Sequence, residues 1–199
     1  MLNFAKRLTP AVLFLISLNL VIYFIQYFLF DGTTAEGVNH LVAFSHVSSS
    51  FKIYQLITYM FTHVYNPFHL GGNMLFLLIY APYFERENGF GKTIFAYLFF
   101  GFFSYLTFDL GIYAEDFFIL GSSGAVIGFC MYFFLNTIFQ LKKIVYNLLV
   151  LLLIIQVIIM FIGSYNMEIT ALGHTGGLIG GVLAALIKRL PIPFSQSTR

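Results

Sequence analysis

Gly121-Ser122-Ser123-Gly124-Ala125-Val126-Ile127-Gly128-Phe129-Cys130 sets two hydroxyls between glycines at the head of an apolar run. The run continues to about residue 138 without a charge. That is the composition of a helix dissolved in lipid, where about 20 apolar residues cross the hydrocarbon core. A polar or ionisable group in such a segment is costly and points to function. The pattern recurs downstream, where Gly173-His174-Thr175-Gly176-Gly177 puts an imidazole near the start of another apolar stretch. A hydroxyl and an imidazole are the minimum pair for nucleophilic acyl chemistry, the histidine taking the proton that makes the serine a competent attacker. Ser123 and His174 are therefore the candidate reactive pair.

Composition agrees. The 199 residues are 59% hydrophobic and 9% charged, with a mean hydropathy of +0.88. A soluble domain carries about 25% charged residues. The chain is read as an all-α polytopic membrane protein whose surplus apolar surface faces the lipid bilayer. A net charge of +2 gives no ground for a nucleic-acid partner. The single cysteine, Cys130, allows no internal disulfide and no paired-cysteine metal site. It reads as a small hydrophobe.

Six spans are expected, near 10–30, 66–84, 92–110, 120–138, 144–162 and 168–187. The first is too long for a signal peptide and is read as a retained helix. Only the loop at 31–54 is long, and its mixed content predicts a segment lying at the interface. With both termini cytoplasmic, the inside holds Lys6, Arg7, Arg86, Lys92, Lys142, Lys143, Lys188, Arg189 and Arg199, and the outside only Lys52. Basic residues favour the cytoplasmic side, so this bias fixes the expected orientation and an even number of spans.

In that topology the second, fourth and sixth helices all run from outside to inside. Ser123 lies a few residues into the fourth, and His174 about six residues into the sixth, roughly 9 Å deep. On the second, His69 and Asn73 are four apart and share a face. All four polar residues fall at a similar shallow depth, although none of them entered the topology argument. Glycines supply the close approach: Gly124 and Gly128 on the fourth helix, Gly173, Gly177 and Gly181 on the sixth, with Gly176 and Gly180 beside them. Small residues at this spacing let helix backbones pack closely in lipid. Free N–H groups at a helix start favour developing negative charge. The N–H groups of Ser122 and Ser123, with the His69 imidazole and the Asn73 amide, could form the preorganised donors an oxyanion needs.

Taken together, these segments resemble the rhomboid family of intramembrane serine proteases in its basic six-helix bacterial form. The resemblance is carried by Phe61-Thr62-His63 ahead of His69-Leu70-Gly71-Gly72-Asn73-Met74, by Gly121-Ser122-Ser123-Gly124, and by Gly173-His174-Thr175-Gly176-Gly177. Glu85 with Gly89 resembles the family's acidic-then-glycine signature. It runs from the first helix to Leu190 and implies one membrane domain over 1–199, a six-helix rhomboid-like bundle. It further implies a Ser–His dyad in which Ser123 attacks and His174 acts as base, then acid. His69, Asn73 and the backbone around Ser122 would hold the oxyanion, with no cofactor and no metal. The implied partners are single-pass transmembrane protein substrates, cut in or near the membrane. The loop around 165–167 resembles the family's capping loop, and the fifth helix its substrate gate. Ile127 stands where many relatives carry an aromatic that stacks on the histidine, leaving packing or a neighbour such as Phe129 to orient His174. Tyr54-Gln55 stands where the first loop often carries Trp-Arg.

Other readings are less well served by the residues. A catalytically inactive rhomboid-like binder of transmembrane segments would be marked by loss of the serine or histidine, and both are present. A transporter predicts paired charges or broken helices at mid-membrane. For a metal site from His40, His46, His63 and His69, no HExxH motif occurs to support it. His63 reads as a structural hydrogen-bonder beneath the first loop, and Glu85, Arg86 and Glu87 as an anchoring cluster on the inner side. With no targeting extension apparent, the expected location is a bacterial cytoplasmic membrane, the site opening to the outer face.

Overall fold

A computed structural model of the chain describes residues 8–29, 38–63, 67–112, 117–137 and 166–190. Helix α1 is Pro10–Leu29, α2 the short Gln55–Thr58, α3 Pro67–Asn88, α4 Phe90–Gly111, α5 Ser123–Thr137 and α6 Met167–Arg189. Each long helix lies within a few residues of an expected span. The expected fifth span at 144–162, with its gate role, lies outside the described residues, as do Tyr165 of the capping loop and the basic residues Lys6, Arg7, Lys142, Lys143 and Arg199. Among the described residues three helices, α1, α4 and α6, are long and apolar enough to cross a membrane. α5 is a shorter apolar helix, and α3 carries Pro82 and a polar last turn. The protein is mostly helical and an integral membrane protein.

The helix ends explain themselves. α1 starts with Pro10, at a position that needs no N–H. Its next two N–H groups, Ala11 at 2.8 Å and Val12 at 3.1 Å, donate to the two oxygens of Glu85. A carboxylate at a helix N-terminus satisfies orphan donors and opposes the dipole. Glu85 is thus the anchor of α1, a sharper role than membership of an inner cluster. Four residues on, Gly89 takes φ +83° and caps the start of α4, a conformation that favours glycine. At the N-terminus of α6, Asn166 accepts from Glu168 N at 2.9 Å and Ile169 N at 3.3 Å. Lys188 and Arg189 occupy its last turn, where cations suit the dipole.

α6 is clamped between α5 and α4 by two glycine faces. A Cβ at Gly177 would overlap the Gly124 carbonyl, and one at Gly181 the Gly128 carbonyl. On the other side, a Cβ at Gly176 would overlap the Phe103 carbonyl of α4. Thr107 Oγ1 of α4 also donates to the Leu172 carbonyl at 2.7 Å. Gly177 and Gly181 of the stripe therefore meet α5 as the spacing suggests, a Cβ at Gly173 would face Ile119 and Ser104, and Gly176 and Gly180 serve the α4 contact.

The first loop is more built than an interfacial segment. Ala43–Phe44 (β1) pairs antiparallel with Phe118–Ile119 (β2), a two-stranded departure from an all-α chain. These strands are too short for their sequence to show. His46 sits beside them, its Nδ1 2.7 Å from Asp109 Oδ2 at the end of α4. The same carboxylate accepts from His46 N at 2.7 Å and Ser45 Oγ at 2.9 Å. Asp109 so binds the loop to the bundle at Ser45 and His46.

Candidate active site

Ser123 is the first residue of α5 and His174 lies within the second turn of α6. The clamp on α6 brings them together: His174 Nε2 is 3.1 Å from Ser123 Oγ. Both are nearly enclosed, at 9% and 7% exposure, so bulk water does not separate them. A serine O–H donating to a bare imidazole nitrogen is the arrangement from which the proton can leave as the oxygen attacks.

The turn before Ser123 is set by Gly121, at φ +96°. Its N–H donates to the Tyr59 carbonyl at 2.8 Å, tying the turn to the short 3-10 segment Tyr59–Phe61. A Cβ at Gly121 would lie 3.0 Å from His69 Cε1, 3.4 Å from His69 Nε2 and 3.9 Å from Asn73 Nδ2. The missing side chain therefore lets the His69 ring and the Asn73 amide close on the turn beside Ser123, where they bound the candidate oxyanion cleft. The first N–H groups of a helix have no intrahelical acceptor, and α5 begins at this cleft. The arrangement offers donors to an anion adjoining the hydroxyl.

All five sequence-derived residues (Ser122, Ser123, His174, His69 and Asn73) lie at one end of the bundle, around the start of α5. The Ser122 side chain does not face the cleft. It is fully buried and its Oγ is 3.3 Å from His63 Nε2. Phe129 packs edge-to-face with Phe84 at 5.5 Å and Phe100 at 5.1 Å, in the core. Ile127 is buried in the same core.

Sequence reasoning missed several polar residues around the site. Ser104 of α4 sits against the places where Gly124 and Gly173 would carry a Cβ. Asn19 of α1 donates to Tyr97 Oη at 3.3 Å, and Tyr97 in turn to the Met60 carbonyl at 3.0 Å. Gln26 Oε1 accepts from His63 N at 3.3 Å. Buried Asn19 and Gln26 in an apolar first helix are the signal that could have marked its inward face. His40 is exposed and His46 is engaged with Asp109. Among the described residues no cluster of three metal-binding side chains occurs.

Comparison with known proteins bears on the whole arrangement. A search of curated proteins gave no match. The profile of the Rhomboid domain matches residues 50–190, from the first loop to the end of α6. This family consists generally of serine intramembrane proteases, with inactive members among them. The matched region holds the whole Ser122–Ser123–His174–His69–Asn73 constellation, and the chain belongs to the rhomboid family.

Proposed function

We propose that the protein is an intramembrane serine endopeptidase acting through a Ser123–His174 dyad. The observation that carries the reading is the 3.1 Å contact between His174 Nε2 and Ser123 Oγ beside the Gly121 cleft. Ser123 Oγ attacks the scissile carbonyl carbon while its proton passes to His174 Nε2. The carbonyl oxygen, now anionic, is held by the His69 ring N–H, the Asn73 amide and the N–H groups at the start of α5. Collapse of the intermediate breaks the C–N bond, and His174 gives its proton to the departing amine. A water then hydrolyses the acyl ester by the same route, with His174 as base.

The substrates proposed are single-pass membrane proteins, cut in or near their transmembrane segments. The shallow position of the dyad in the expected topology supports this, since water must enter from the outer face. A bacterial cytoplasmic membrane is the proposed location. Labelling with a fluorophosphonate tests the chemistry: the adduct is expected on Ser123 by mass spectrometry, lost in Ser123→Ala and much weakened in His174→Ala. Intact, folded wild type that takes no label would favour an inactive binder of transmembrane segments.

A further inference from the structure

The strongest unassigned group near the site is His63. It is fully buried and lies in sequence between the 3-10 segment Tyr59–Phe61 and α3. Its Nδ1 lies 3.2 Å from the carbonyl oxygen of Phe61, two residues earlier. Its Nε2 lies 3.3 Å from Ser122 Oγ and 3.3 Å from Asn73 Nδ2. A carbonyl oxygen only accepts, so the Nδ1 nitrogen must carry the proton. In the neutral ring Nε2 is then a bare acceptor, and both Ser122 O–H and Asn73 N–H donate to it. A doubly protonated ring would set an N–H against the Asn73 NH2 group, donor against donor. The tautomer also fixes the Asn73 amide, because the flipped amide would put oxygen against the imidazole lone pair.

We infer that His63 is a positioning residue for the oxyanion cleft: its Nε2 holds one N–H of Asn73 and the hydroxyl of Ser122, so that the second Asn73 N–H is aimed beside Gly121. This rests on the protease reading above. The consequence is geometric. Ser122 directly precedes the nucleophile, and Asn73 faces the cleft one turn below His69. One imidazole nitrogen thus sets the register between the start of α5 and the first turns of α3. The ring is itself held, since the His63 backbone N donates to Gln26 Oε1 of α1 at 3.3 Å. His63 touches no reacting atom; besides its two donors, its ring packs against the His69 ring at 5.4 Å.

A double-mutant cycle in reconstituted full-length protein tests the assignment. His63→Leu removes the acceptor, and His63→Gln restores an oxygen near the Nε2 position. His63→Leu is expected to lower kcat about 10–100-fold, less than or equal to the loss of a whole oxyanion donor, with KM nearly unchanged. His63→Gln should recover most of that. In an Asn73→Ala background, His63→Leu should have little further effect, because the group it orients is gone. Equal losses in both backgrounds, or no rescue by glutamine, would overturn the assignment. Should His63→Leu fail to fold, Ser122→Ala with Asn73→Ala serves the same cycle from the other donor, and additive effects there would also overturn it. Fluorophosphonate labelling of wild type keeps the failures apart. Absence of both labelling and cleavage in wild type would overturn the protease reading and this one with it, whereas an active wild type with additive mutants would overturn the role of His63 alone.

Discussion

At the scale of single residues, the account turns on which atoms meet at the start of α5. The Oγ of Ser123 and Nε2 of His174 are 3.1 Å apart, and Gly121 lets the His69 ring close on the adjoining turn. His69→Ala or Asn73→Ala is expected to reduce kcat by about 10–1000-fold, as for a lost oxyanion donor, with folding intact by thermal unfolding. Wild-type kinetics in both would remove these residues from the site. Gly121→Ala should be more damaging than its size suggests, because it strains a backbone at φ +96° and brings a methyl to 3.0 Å from the His69 ring. Its expected signature is loss of cleavage together with slowed fluorophosphonate labelling of Ser123. Ser123 and His174 were legible in the sequence as candidates because lipid makes a lone serine or histidine conspicuous. His63 was legible only as a hydrogen-bonder, because its partners Ser122 and Asn73 are 59 and 10 residues away and no local pattern joins them. The Ser122 side-chain direction was unreadable for the same reason.

At the scale of elements, the helix boundaries follow from hydropathy and punctuation, and the exceptions have local causes. α3 runs on to Asn88 beyond its apolar stretch because Glu85 and Glu87 each find partners there. The β1–β2 pair escaped notice because two-residue strands have no periodicity to read. The glycine stripes, by contrast, were legible as spacing and meet α5 and α4 as backbone contacts. Gly177→Ala is therefore expected to push α6 from α5, destabilising the bundle by about 1–3 kcal/mol and separating His174 from Ser123. Thermal unfolding and labelling rate should fall together. Gly91→Ala is the control, since a Cβ there meets nothing within 4 Å, and it should leave both unchanged. Removing the anchor of α1 by Glu85→Ala should cost about 1–2 kcal/mol, the scale of a lost helix cap, read as a lower unfolding temperature in detergent.

At the scale of the whole molecule, the two ends of the bundle carry different chemistry. One end holds Ser123, His174, His69, Asn73 and His63. The other holds Glu87, whose Oε2 accepts from Lys188 Nζ at 2.7 Å and from Tyr132 Oη at 2.9 Å, joining α3, α5 and α6. Burial alone would raise the Glu87 carboxyl, but the hydrogen bonds from Lys188 and Tyr132 outweigh it and hold the group below its ordinary value. The folded-state value is depressed, so this contribution to stability is present above the ordinary carboxylate range of about 4 and is lost as pH falls through the lowered value. Glu87→Gln should flatten that acid limb of the unfolding temperature without changing the site at the far end. Charge bias, span count and motif order made the family legible from residues alone, and the Rhomboid match over residues 50–190 agrees with it. The most direct test of the central claim is cleavage of a model single-pass protein in liposomes by purified wild type and Ser123→Ala, read on a gel. The account predicts cleavage by wild type and none by Ser123→Ala. Equal cleavage by both would contradict it, since another nucleophile would then be at work.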